Sequence, residues 1–311
     1  MRGLCHMVVM IALVACTPTR GNEPKPEARD PKLHLGPDEQ TAQASDLAPA
    51  IEARRLAAIE ELRQGHYDAG RAALVALAAE VGPSYPLLND LAVAEGLAEH
   101  WQAALGAAND ALALDPTGLE ANVNKVEALL ALGNRARALD IGQYTVDRYP
   151  NDVSAHIALG KACFSLGRYR EARTQFERAL DLDASDLTAG LGVLASVSID
   201  PAAPELDEII ARLLKQAPDD PEVLHLVGTA YERRIDDKSA RTYYERAIAL
   251  ADQRGQALPW AHYNLGRLLQ RTVGLDAARP HYTKFIASAP PSAALEREAL
   301  EQELANPKDA P

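Results

Sequence analysis

The chain has 311 residues, a formal net charge of −12 and 47% hydrophobic residues, of which few are aromatic. That is enough apolar material for a large core, and so strong an acidic excess offers no basic footprint for phosphates, which argues against nucleic acid as a partner.

Arg2 is followed by an apolar run from Met7 to Ala15. The run is far short of the roughly 20 residues needed to span a bilayer and has the dimensions of the apolar part of a signal peptide. It ends in Leu13-Val14-Ala15-Cys16, and these four residues resemble the lipobox of bacterial lipoproteins. The resemblance implies a signal peptide over 1–15, cut before Cys16, with a diacylglycerol on the Cys16 thiol and an acylated amino group. Several acyl chains hold a protein stably at a membrane, where one chain is marginal. Thr17 follows the cysteine where Asp would favour the inner membrane, so the same resemblance points to the outer membrane with the protein facing the periplasm. An ordinary secretory signal or a membrane anchor that happens to contain a cysteine is the alternative.

Residues 16–45 form the next segment, where Pro, Glu, Lys, Asp and Gly replace most apolar residues from Pro18 onward. Such a composition cannot bury enough surface to fold and predicts a flexible tether, with a reach of roughly 30 Å. Asp46 or Ser45 is expected to cap the first helix.

From 46 to 290 the sequence repeats with a step of 34 residues. Leu88, Leu91, Ala92, Trp101, Ala104, Ala108, Ala111 and Pro116 return two steps on as His156, Leu159, Gly160, Tyr169, Ala172, Phe176, Ala179 and Ala184. They return again as Leu224, Val227, Gly228, Asp237, Ala240, Tyr244, Ala247 and Asp252. After a short insertion the series closes with His262, Leu265, Gly266, Leu275, Ala278, Tyr282, Phe285 and Pro290. These residues resemble the tetratricopeptide repeat, whose period is also about 34 residues. The resemblance implies an all-α, right-handed α-solenoid of about seven helix-turn-helix repeats with a C-terminal capping helix. The repeats begin near Ile51, Tyr85, Leu119, Val153, Leu187, Pro221 and Pro259.

Pro116, Pro150, Pro218 and Pro290 fall at repeat ends, where a residue without an N–H stops a helix. Gly65, Gly133 and Gly167 fall at the turn inside the repeat. Helix axes about 8–10 Å apart favour small residues at contact points, so Gly160 is expected against Ala172, Gly228 against Ala240 and Gly266 against Ala278. The fifth repeat puts Leu194, Leu206 and Leu213 at the small positions and carries Pro201 and Pro204 in its turn, which predicts a wider helix separation. Residues 291–305, with Leu295, Ala299, Leu300 and Leu304, are expected to form the capping helix that an array of this kind requires, before a disordered tail over 306–311.

No residue pattern calls for an enzyme, a cofactor or a metal. On the lipobox resemblance Cys5 would leave with the signal and Cys16 would be acylated, so Cys163, at an apolar helix position, is expected to be a buried thiol. Gly190 to Ala195 spells a dinucleotide fingerprint inside a predicted helix with no preceding strand, the context that gives the motif its mechanism. Asp181, Asp183 and Asp186 crowd a turn but lack the Gly and the bidentate Glu of a calcium loop. The histidines show no paired metal spacing.

The family resemblance also implies that the first helix of each repeat lines a concave groove. Asn89, Val93, Glu127, Ile157, Lys161, Phe164, Leu191, His225 and Glu232 stand at such positions, and so do Trp260, Tyr263, Arg267 and Arg271. The last four share one helical face and include the residue types enriched in binding hot spots, unless the C-terminal helix packs over them. A protein or peptide segment is the expected partner in the groove, with the membrane contacted through lipid. Lipobox, tether and repeats together are similar to the layout of pilotins, the lipoproteins that help to assemble type IV pilus secretins. The functional expectation is a non-enzymatic scaffold or assembly factor of the bacterial envelope. A cytosolic co-chaperone is a second reading, against which Arg55 is followed by Ile59 where a carboxylate clamp would need a polar partner. An accessory subunit of an envelope enzyme complex is a third.

Overall fold

The computed structural model describes residues 48–290 and 293–305. The expected signal peptide, Cys16, the tether and the tail lie outside the described residues. Among those described there are fifteen α-helices and no strand.

The helices form hairpins in chain order: α1 (Pro49–Arg63) with α2 (Tyr67–Val81), α3 (Tyr85–Leu97) with α4 (Trp101–Leu114), and α5 (Leu119–Ala131) followed by α6 (Arg135–Arg148). Then come α7 (Val153–Ser165) with α8 (Tyr169–Leu182), α9 (Leu187–Val197) with α10 (Leu206–Gln216), α11 (Pro221–Arg233) with α12 (Asp237–Gln253), and α13 (Pro259–Thr272) with α14 (Leu275–Ser288). A single helix, α15 (Ala294–Ala305), closes the series. Helices α3, α5, α7, α9, α11 and α13 start at the residues where the repeat predicts them. Helix α1 starts at Pro49, and its N-cap is Ala48 without a side-chain bond, so neither Ser45 nor Asp46 is the cap.

Two local devices recur at the repeat spacing. Asp152, Asp186 and Asp220 each turn a carboxylate back onto the opening N–H groups of α7, α9 and α11, satisfying donors that have no partner within the helix. Asp186, one of the three carboxylates crowded in a turn, is therefore a helix cap. At the turn between paired helices the backbone enters the left-handed region at Gly65, Glu99, Gly133, Gly167 and Ile235. Glycine is at ease there; Ile235, branched at Cβ, is not.

The chain divides into two compact units, within α5. In the unit over 48–128, Ala58, Leu62, Leu74, Leu77, Leu87 and Ala94 form one buried cluster. Arg55 of α1 reaches Asp90 of α3 and also bonds Glu52 of its own helix.

In the unit over 129–305, one core gathers Leu159, Phe164, Phe176, Leu194, Leu213 and Val227. A second gathers Tyr244, Leu265, Tyr282, Phe285, Ala293 and Leu300. Cys163 is free and buried in the first core, where burial raises its thiol pKa. At the predicted close approaches an aromatic ring lies nearest each glycine: Phe176 against Gly160, Tyr244 against Gly228, where the Ala240 carbonyl oxygen is also near, and Tyr282 against Gly266. The fifth hairpin differs from the fourth in the length of its helices. Helices α9 and α10 have 11 residues each, against 13 and 14 in α7 and α8.

Candidate functional site

The surface with the most binding chemistry in the 129–305 unit is on α13 and the end of α11. Arg267 is exposed, and its guanidinium carbon sits 5.8 Å from the centre of the Tyr263 ring, one helical turn earlier. Among the described residues Arg267 makes no ion pair. Arg271, a further turn on, donates to Asp237 at 2.8 Å and lies 3.9 Å from Glu232. Glu232 accepts a 2.7 Å hydrogen bond from the Tyr244 hydroxyl, whose pKa burial pushes well up.

Trp260 and Tyr263 share this helix but are committed largely to internal packing. The Trp260 ring centre is 5.5 Å from that of Tyr263 and 5.5 Å from that of Phe285, and Tyr263 is 5.0 Å from Phe285. Both rings pack on the core that contains Leu300 of α15. Trp260 and Tyr263 thus pack on Phe285 of α14 and on the core that Leu300 of α15 joins, while Arg267 and Arg271 stay open to solvent.

Five residues expected to line a groove are interior. Ile157, Phe164 and Leu191 belong to the core of the 129–305 unit, and Lys161 and His225 are buried beside them. The physical reason is that α9 packs against α7, α8, α10 and α11, so that every residue from Thr188 to Val197 is buried. Positions that face outward in an open repeat become core positions here. His225 accepts at Nε2 from the Asn264 amide at 3.0 Å, and burial lowers its pKa to about 4, so it is neutral. Lys161 has an interaction partner of its own.

In the 48–128 unit, Asn89 accepts from the Asn124 amide at 2.8 Å, while Val93 and Glu127 are half-buried. Arg55, at the position of a carboxylate clamp, is occupied by Glu52 and Asp90. Burial pushes Asp90 up to about 6 against the pull of that arginine.

Three features were not singled out in the sequence. Arg233 is half-buried and donates to the Ser198 hydroxyl at 2.6 Å, with burial disfavouring its charge. Glu222 is pushed up to about 7 by burial and by neighbouring Asp220. His262 and His281 bring their Nδ1 atoms within 3.1 Å. Only spatial folding brings these groups out, since repeat spacing places the residues without assigning them partners. Among the described residues no group of three or more His, Cys, Asp or Glu is placed to hold a metal ion, and no helix is long and apolar enough to cross a membrane.

The succession of antiparallel helix pairs has the fold of tetratricopeptide repeat proteins. A sequence model of the tetratricopeptide repeat family matches residues 123–186. Comparison with curated protein sequences gives no match. Among solved structures, a tetratricopeptide repeat protein from Parabacteroides merdae aligns with a TM-score of 0.64 and 16% identity, over 83% of this chain and 98% of that one. Human IFIT1, solved as a dimer with m7Gppp-AAAA, aligns with a TM-score of 0.60 and 13% identity, over 81% of this chain and 63% of that one. Yeast Tom70 aligns with a TM-score of 0.56 and 12% identity, over 88% of this chain and 69% of that one. Identities this low establish the fold alone.

Proposed function

We propose that this protein is a non-enzymatic protein-binding scaffold of a bacterial envelope, held at a membrane by lipid on Cys16 and presenting its repeats to the periplasm. The supporting observation for binding is the arginine face of α13, where Arg267 is exposed on the Tyr263 ring without a carboxylate partner among the described residues, in a chain of net charge −12. Arginine beside an aromatic ring is a frequent element of protein-interface hot spots, and a protein segment carrying acidic side chains would match it. The supporting observation for the anchor is the sequence Leu13-Val14-Ala15-Cys16. Assembly of a secretin or a comparable envelope machine is the role this layout suits best.

Proteins that co-purify from detergent-solubilised envelopes should be compared for the unmodified chain, Cys16→Ala and Arg267→Glu. An envelope subunit recovered with the first, reduced with Arg267→Glu and lost from the membrane fraction with Cys16→Ala, is the expected result. Recovery of cytosolic chaperones alone, equal in all three, would overturn the reading in favour of a cytosolic adaptor.

A further inference from the structure

His262 on α13 and His281 on α14 meet head-on inside the last hairpin. Their Nδ1 atoms are 3.1 Å apart, and their ring centres 5.4 Å apart. The second distance exceeds the first by about two ring radii, as for nitrogens aimed straight at each other. Two nitrogens gripping one metal ion would converge on a third point and bring the ring centres closer.

A contact of this kind needs one N–H and one lone pair. When both rings are neutral, one carries its proton on Nδ1 and donates it to the Nδ1 of the other. One added proton leaves the bond intact, because an imidazolium still donates to a neutral neighbour. A second added proton destroys it, because each Nδ1 then points a hydrogen at the other.

The α7–α8 hairpin holds a different pair in the same two places. His156 and Gln175, also nineteen residues apart, place Nδ1 and the amide oxygen 2.8 Å from one another. A carboxamide presents either its oxygen or its N–H after a half-turn. A His–Gln pair is therefore satisfied with the ring neutral or charged, and a His–His pair is not.

We propose that His262–His281 is an acid-labile tie between α13 and α14, which holds through one added proton and opens on the second, loosening the hairpin on which α15 is seated. The charges around it do not cancel this behaviour. Arg241 of α12 and Lys284 of α14 oppose protonation, Glu245 and Asp252 of α12 favour it, and burial, the largest influence, lowers both histidines below the ordinary 6.5. The unfolded chain thus takes up these protons first, so the tie's stabilisation is present above pH 6.5 and is lost as pH falls below it.

The test is His281→Gln in the full chain, which writes the His156–Gln175 pair into the last hairpin. Thermal midpoints would be followed as pH is lowered from about 7.5 to about 5, across the ordinary histidine range. The unmodified chain should lose more of its midpoint than the variant, since acid loss from other groups is common to both curves. Imidazole NMR of the unmodified chain should show the pair titrating in two separated steps, the second below the ordinary range. Parallel pH curves, or two histidines titrating independently at the ordinary value, would overturn the proposal. If His281→Gln does not fold, the NMR titration decides alone.

Discussion

The ring of Tyr244 rests directly on Gly228: a Cβ added at position 228 would stand 2.7 Å from two carbons of that ring and 3.3 Å from the carbonyl oxygen of Ala240. Tyr244 is fully buried and its hydroxyl is fixed by Glu232, so the ring has nowhere to retreat. Gly228→Ala should therefore destabilise the protein by about 1–3 kcal/mol through overpacking. A lower denaturant midpoint with an unchanged slope would show it, and an unshifted midpoint would mean that the hairpin can open without cost.

Ile235 presents the opposite case. It is 78% exposed and has φ 60°, in a turn where Gly65, Gly133 and Gly167 stand in other repeats. Neither burial nor backbone preference favours isoleucine there, and the left-handed conformation costs an L-residue about 1–2 kcal/mol. Part of the relief on Ile235→Gly is offset by the greater freedom of glycine in the unfolded chain. A net gain of about 0.5–1 kcal/mol is expected in chemical denaturation. A loss instead would mean that the Ile235 side chain makes a stabilising contact.

The cap is testable through one side chain. Leu300 of α15 is buried in the core shared with Phe285, against which Trp260 and Tyr263 pack, whereas Leu295 on the same helix is 80% exposed. Leu300→Ala should cost about 2–3 kcal/mol and shift Trp260 emission to the red as the core it packs on loosens. Leu295→Ala should do neither.

His225 gives a prediction with a definite pH window. Its pKa is lowered from 6.5 to about 4 because burial penalises the imidazolium. In this window the unfolded chain binds the proton and the folded chain does not, so stability is full above pH 6.5 and falls as pH drops towards 4. The loss approaches about 3 kcal/mol at the lower limit. The His225 imidazole signals should stay at their neutral positions at pH 5 in the folded protein, between its lowered pKa of about 4 and the ordinary 6.5. Movement with a midpoint near 6.5 would contradict its burial.

The repeat was legible because its markers act locally. Pro221 and Pro259 open helices, Gly133 and Gly167 turn the chain, and the small-to-aromatic spacing of Gly228 and Tyr244 holds whichever ring finally fills the gap. What Gly160 meets was not legible, since both Ala172 and Phe176 lie within reach of it on the facing helix. The binding face was least legible. Leu191 and His225 occupy positions that family resemblance assigns to a groove, and only the packing of α9 among four neighbours turns them inward. Arg267 and Arg271 were readable as one face by spacing, but their separation from Trp260 and Tyr263 depends on the packing of those two rings on Phe285. The His262–His281 contact lay hidden because nineteen residues is the span of a hairpin rather than a metal-binding interval.

The aspartate caps of α7, α9 and α11 have a consequence for how such a chain can change in length. Asp152, Asp186 and Asp220 hold the same place before successive first helices. Excision of residues 153–186 would set Asp152 directly before Leu187, the place Asp186 now occupies, and duplication of the same stretch would set Asp186 before a second copy of Val153. Either change leaves each of these first helices beginning on a carboxylate. The junctions are interchangeable, so the sequence can gain or shed a whole hairpin at these points without leaving a helix start uncapped.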